Sequence, residues 1–147
     1  MIVNKRRHRV VYWLQNVDGS VNGECMTRQR QQLGRRGEAL AADKLTALGY
    51  TLVARNYRCA AGEIDLVARR GEAWVFVEVR TRRGGQFGTP EASITPRKRQ
   101  HLVAAAQSYL QEQQLADVPW RIDVVAVELS PRGELLRVDV IENAIQG

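Results

Sequence analysis

Residues 62–82 read GEIDLVARRGEAWVFVEVRTR, a mostly apolar stretch that carries Glu63, Asp65 and Glu78, with Arg80 two positions further on. In a strand, residues two apart share a face, so Glu63 pairs in direction with Asp65 on one strand and Glu78 with Arg80 on the next. If the two strands form a hairpin in register, Asp65, Glu78 and Arg80 converge across it. Glu78 interrupts VFVEV, where an apolar side chain is expected, and a buried carboxylate is costly unless its desolvation is offset. Arginines of the same chain offer one offset, as sheet-face pairs Glu78–Arg80 and Asp65–Arg58. A divalent cation offers the other. Two carboxylates on adjacent strands make a hard-oxygen site of the kind Mg²⁺ or Mn²⁺ takes, completed by water and substrate phosphate. Such an ion activates a water and stabilises charge in phosphoryl chemistry. Glu38, carried by a helix, is a third candidate carboxylate.

The elements that must position these groups are legible in outline. Leu33, Gly37, Leu40, Ala41, Lys44 and Leu48 recur at spacings of three and four, which predicts a helix from Leu33 stopped by Gly49. Gly37 and Ala41 are small enough to let that helix lie close to a sheet. Three strands are predicted over 50–58, 63–70 and 73–80, the last two joined by Gly71-Glu72 at hairpin length. A glycine-bearing loop, TRRGGQFGTPEASI, fills 81–94. Thr95 then reads as an N-cap with Pro96 at the first helical position, opening a second helix. RIDVVAVEL (121–129) is apolar on both faces and predicts an interior strand, and Pro131-Arg132-Gly133 turns it into LLRVDVI (135–141). The order α-β-β-β-α-β-β predicts an α/β domain with a mixed sheet flanked by helices. Asp123, inside the interior strand, reads as a buried hydrogen-bonded acid. Trp74, Trp120, Tyr50 and Tyr57 read mostly as core.

The charge balance narrows the partners. The chain has 147 residues, with 22 Lys+Arg against 16 Asp+Glu, a net charge of +6 and a pI near 9.9. Nineteen of the 22 cations are arginine, whose planar fork suits phosphate. A basic, arginine-rich domain fits a nucleic-acid partner; a solvated basic surface accounts for the same numbers. Two cysteines with no CxxC pair and two isolated histidines make no zinc set. No apolar run spans a bilayer, and a reducing cytoplasm is expected. KRRHR at 5–9 followed by VVYWLQNV imitates a signal peptide, but Gln15 and Asn16 interrupt it and no small-x-small cleavage site follows. Residues 1–25 are expected to be an extension outside the fold, and 26–147 a single domain.

Basic residues gather on both sides of the acids. Arg82 and Arg83, followed by Gly84-Gly85, come directly after the candidate site. Arg97, Lys98 and Arg99 crowd the first turn of the second helix, where cations are mildly unfavourable and a phosphate would relieve them.

IDLV, ten intervening residues, then EVR resembles the PD-(D/E)XK nuclease motif, with Ile64-Asp65 as its first element and Glu78-Val79-Arg80 as its second. The longer pattern GRRGEALAADKLTALGYTLVARNYRCAAGEIDLVARRGEAWVFVEVRTRR, then FGTPEASITPRKRQHLVAAAQSYL, then RIDVVAV, resembles the YraN family of uncharacterised, predicted endonucleases over about residues 30–145. That family is similar to archaeal Holliday-junction resolvases in core fold. The resemblance implies a restriction-endonuclease-like sheet, Glu38, Asp65 and Glu78 as Mg²⁺ or Mn²⁺ ligands, and Arg80 at the catalytic basic position. It also implies phosphodiester hydrolysis in DNA, with branched or junction DNA as substrate. Arg82, Arg83, Arg97 and Lys98 would hold the DNA backbone. Cutting two strands needs two sites, so a homodimer is an open expectation. One departure stands out: the motif ends in Lys and this chain has Arg80. Arginine stays protonated and cannot act as a base, though it can hold phosphate. Lys98 could supply the missing amine if its helix end approaches the strand end. The alternative is a non-catalytic nucleic-acid-binding protein on the same fold.

Overall fold

The structure is a computed structural model that describes residues 21–84 and 88–146, with side chains from residue 27 onward. Most of the expected N-terminal extension, with Gly85 of the glycine-bearing loop, lies outside the described residues. Helix α1 spans Val21–Ala47, so it begins at Val21 rather than at Leu33. The residues before Leu33 carry no apolar period, but RQRQQ is built of strong helix formers, and propensity extends the helix where periodicity is silent. Its buried face is Gly37, Ala41, Ala42 and Leu45, while Lys44 and Leu48 of the expected stripe are exposed. Leu48 falls past the last helical residue. There Gly49 adopts φ 90°, its N–H bonds Thr46 O at 3.1 Å, and Tyr50 N–H bonds Leu45 O at 3.0 Å. This is a Schellman cap, which needs a residue free to take positive φ.

Five strands follow: β1 Thr51–Cys59, β2 Gly62–Arg70, β3 Ala73–Arg83, β4 Trp120–Leu129 and β5 Leu135–Ile145, with α2 at Pro96–Glu112 between β3 and β4. They form one sheet in the order β1-β2-β3-β4-β5. The first three strands are antiparallel neighbours, β3 and β4 are parallel across the α2 crossover, and β5 returns antiparallel. The element order matches the expectation, and β4 lies inside the sheet as its two-faced apolarity predicts. Strand β3 runs on to Arg83, beyond the expected end at Arg80, because it pairs with β4 through Arg83↔Leu129. The N-cap forms as read: Thr95 Oγ1 accepts from Lys98 N–H at 3.1 Å, with Pro96 opening the helix.

The sheet separates two cores. On one face Leu66, Val75, Val77, Val125 and Val127 pack with Ala41, Ala42 and Leu45 of α1. On the other, Ile64, Phe76, Ile122 and Val124 pack with Leu102, Ala106 and Tyr109 of α2. The two helices therefore lie on opposite faces of the sheet, and Glu78 and Arg80 project from the C-terminal half of β3.

Gly37 fixes how closely α1 meets that half. A Cβ at Gly37 would stand 1.8 Å from Thr81 Oγ1 on β3. Gly37→Ala is therefore expected to cost about 1–3 kcal/mol through overpacking, despite alanine's better helix propensity. Urea denaturation reads this directly, and Thr81→Ala in the same chain should restore part of the loss. An unchanged midpoint for Gly37→Ala would show that α1 does not sit this close to β3.

Candidate metal and phosphate site

The hairpin register is the one that brings the acids together. Strands β2 and β3 pair from Arg70↔Ala73 to Leu66↔Val77, and there the ladder stops. Asp65 is the next residue. Its Oδ2 accepts the Val79 N–H at 2.8 Å, so a carboxylate stands where a main-chain acceptor would continue the sheet. The strand is irregular at this point: Ile64 packs on the α2 side and Leu66 on the α1 side, although they are two apart. Across from them on β1, Asn56 takes φ 51°. The sheet opens at Asp65, and the opening forms a cleft of ≈ 410 Å³ lined by Arg30, Glu38, Glu63, Asp65, Glu78, Arg80, Thr81 and Lys98, among others.

Glu78 is the buried acid of the cleft, 4% exposed. Its Oε1 lies 3.3 Å from Arg80 Nε and 3.6 Å from Lys98 Nζ. The Arg80 contact is an ion pair without an aligned hydrogen bond, and Glu78 Oε2 receives no donor; Glu78 shares a hydrogen bond with Asp65 only when it is protonated. Burial pushes the Glu78 carboxyl up to about 7, with the Asp65 charge adding to the rise and Lys98 and Arg80 opposing it. Asp65 is also raised by burial, against which the Val79 N–H and Lys98 pull downward. Glu38 is raised by burial and then by the Asp65 charge, and a hydrogen bond from Asn56 opposes the shift.

The residues singled out from the sequence sort clearly. Asp65, Glu78, Arg80, Glu38 and Lys98 line one cleft. The start of α2 does reach the strand end, as the idea of a substitute amine at Lys98 requires. The internal pair Glu78–Arg80 forms, but Arg58 bonds to Glu63 at 3.4 Å rather than to Asp65, because Glu63 is its cross-strand partner. Arg82, Arg83 and Arg97 stand outside the cleft lining: Arg82 donates to Gly88 O, Arg83 Nε donates to Pro131 O at 3.0 Å, and Arg97 is exposed in the first turn of α2. Arg30 and Asn56 were not foreseen. Arg30 precedes the apolar stripe that marked the helix, so only the full length of α1 brings it to the cleft. Asn56 looks like an ordinary strand residue; asparagine's tolerance of positive φ was the available signal.

A divalent cation fits this donor set. The groups are hard carboxylate oxygens, the Asp65 charge raises both Glu78 and Glu38, and Glu78 Oε2 is a buried acceptor that receives no donor. Among the described residues, no three His, Cys, Asp or Glu side chains converge closely enough to hold an ion by themselves. Asp65 and Glu78 are the carboxylates that would hold such an ion, with water and phosphate completing the shell as Mg²⁺ prefers. Glu38 would act through that water shell. Asp123 is no part of this site. It is fully buried and accepts from Arg121, Tyr50 OH and the Asn143 N–H, as a structural acid should.

Fold and cleft together define a mixed α/β domain with an acidic opening beside its central strand, edged by cations. The chain belongs to Uncharacterised protein family UPF0102, whose model matches residues 37–127 and so takes in Glu38, Asp65, Glu78 and Arg80. It is 47% identical over 115 residues to the UPF0102 protein of Dehalococcoides mccartyi, covering 76% of this chain and 95% of that protein. It is 47% identical over 122 residues to that of Roseiflexus castenholzii, with 82% and 98% covered. The UPF0102 protein of Geobacter sulfurreducens is 44% identical over 115 residues, with 78% and 88% covered. No helix among the described residues is long and apolar enough to cross a membrane.

Proposed function

We propose that this protein is a metal-dependent nuclease of the PD-(D/E)XK, YraN-like kind, hydrolysing phosphodiester bonds in branched or flapped DNA. The observation that carries the reading is Glu78: buried, raised to about 7, with Oε2 unpartnered beside Asp65 where the β2–β3 ladder opens. A fold that keeps such a group accepts an unfavourable burial, and perturbed acids in a cleft are the mark of a functional site. When bound, Mg²⁺ or Mn²⁺ supplies an activated water and neutralises charge on the scissile phosphate. Asp65 is held in orientation by the Val79 N–H, and Glu78 presents its free oxygen. Arg80 contacts the phosphate as a fixed cation. Lys98, 3.6 Å from Glu78, brings an amine to the place where Arg80 cannot serve as one.

Purified protein is expected to cleave branched DNA only with Mg²⁺ or Mn²⁺, and Asp65→Asn to lose more than about 100-fold of that activity. Loss of an outer-shell partner already costs a metal site 10–100-fold. Lys98→Ala should lose cleavage while keeping Mn²⁺ binding by calorimetry; normal cleavage by Lys98→Ala would remove the amine from the mechanism. No cleavage of any substrate with either metal would sink the enzyme reading. The second reading is a non-catalytic nucleic-acid-binding protein on this fold, and the arginine at position 80 favours it. It calls for salt-sensitive DNA binding without turnover.

A further inference from the structure

The turn joining β4 to β5 brings two arginines from distant parts of the chain together. Ser130 ties it: Ser130 N–H bonds Glu134 O at 2.8 Å, and Gly133 N–H bonds Ser130 O at 2.8 Å. The Ser130 hydroxyl oxygen accepts from the N–H groups of Arg132 and Glu134. Gly133 at its tip is buried, although surface turns are usually open, because guanidinium groups cover it. A Cβ at Gly133 would stand 3.1 Å from Arg36 Nη1 and 3.9 Å from Arg83 Cζ and Nη2. Arg83 is held there by its bond to Pro131 O at 3.0 Å. Arg36 arrives from α1, where it immediately precedes Gly37 at the helix's contact with β3.

Among the described residues neither guanidinium pairs with a carboxylate. Both side chains remain exposed to solvent. Two cations this close repel each other even in water, and two long side chains lose rotamer freedom to meet. One anion between them would relieve both costs. Guanidinium forks match phosphate oxygens in geometry as well as charge.

We propose that Arg36 and Arg83, closed over Gly133, bind a backbone phosphate of the DNA whose scissile bond lies in the cleft; this rests on the nuclease reading. Arg83 follows Arg80 by three residues on β3, so alternation turns its side chain to the α1 face, away from Arg80 and toward Arg36. The pair therefore meets the backbone beside the cleft and not inside it. The cleft then does the chemistry, and the arginine pair fixes which phosphate enters it.

The test is fluorescence anisotropy of a labelled branched DNA with the full chain across a monovalent-salt series. It compares wild type, Arg36→Ala, Arg83→Ala and the double variant, with Arg69→Ala at the far end of β2 as a charge control. Each single variant is expected to weaken binding about 3- to 10-fold and to lower the slope of log K against log salt by about 1, and the double variant by about 2. With saturating DNA and Mn²⁺ the double variant should keep kcat while its KM rises, and Arg69→Ala should change neither. If the double variant binds with wild-type affinity and slope while Asp65→Asn still abolishes cleavage, the arginine pair is no phosphate site and the nuclease reading stands. If wild type shows no salt-sensitive DNA binding, the nuclease reading falls and this site falls with it.

Discussion

Glu78→Gln is expected to make the metal-free protein more stable at pH 8 while abolishing its cleavage. The sign follows from the direction of the shift. The folded state holds the Glu78 proton up to about pH 7, whereas the ordinary carboxyl value is 4.5. Between these, the unfolded chain has released a proton that the folded chain still binds, so stability falls as pH rises through the interval and stays lower above it. A shift of this size, in which the opposing pull of Arg80 and Lys98 is already included, corresponds to a gain of about 3 kcal/mol. Urea denaturation with a chelator, at pH 5 and pH 8, measures it: the wild type should lose stability relative to the variant as pH rises. Mn²⁺ at pH 8 should then restore the wild type, by roughly 2.7 kcal/mol at a hundred times its Kd, and leave the variant unchanged. If the two proteins keep the same difference at both pH values and Mn²⁺ stabilises neither, Glu78 is satisfied by Arg80 and Lys98. The internal ion-pair interpretation then wins.

That contrast explains how much of the site the sequence disclosed. Asp65, Glu78 and Arg80 were readable because a two-residue period and a two-residue turn fix which side chains meet, and both are local properties. The buried oddity at Glu78 was readable because it breaks an apolar run. The opening of the sheet at Asp65 was not, since it arises from a carboxylate taking a main-chain bond 14 residues away. Lys98 could be named as a candidate, but its distance to Glu78 depends on the path of the α2 crossover, which no local pattern encodes. Arg30 was missed because the polar first half of α1 has no period to read. Arg36 and Gly133 were missed for a related reason: their meeting joins a helix to a turn nearly a hundred residues later in the chain. The expected helix stripe erred at Lys44 and Leu48 because spacings of three and four fit more than one face, and only the packing of Gly37, Ala41 and Leu45 against β3 and β4 selects one.

Asp123→Ala should produce the opposite pattern from Glu78→Gln, and the pair of results separates a structural acid from a catalytic one. Asp123 is fully buried on the α1 face of β4. Arg121 Nε donates to its Oδ1 at 2.9 Å, and the Asn143 N–H donates to the same oxygen at 2.8 Å. Arg121 Nη2 and Tyr50 OH each reach Oδ2 at 3.2 Å. Every lone-pair direction of the carboxylate is therefore engaged, in contrast to the empty Oε2 of Glu78. Removing it leaves the Asn143 N–H without its acceptor and leaves Arg121 and Tyr50 OH only Glu142, at 3.8 and 3.3 Å, and breaking such a pair costs about 3–5 kcal/mol. Asp123→Asn should also destabilise, because its amide adds donors where Arg121 already supplies donors. Chemical denaturation reads the loss. At a temperature where circular dichroism shows the variants folded, their Mn²⁺ affinity and their cleavage per folded molecule should match the wild type. A variant that folds normally yet no longer binds Mn²⁺ would move Asp123 into the metal site. A variant as stable as wild type would show that this network does not hold β4 and β5 to the start of β1. Loss of stability with retained chemistry at Asp123, beside gain of stability with lost chemistry at Glu78, is the signature of a fold that satisfies one buried acid internally and keeps the other open for a ligand.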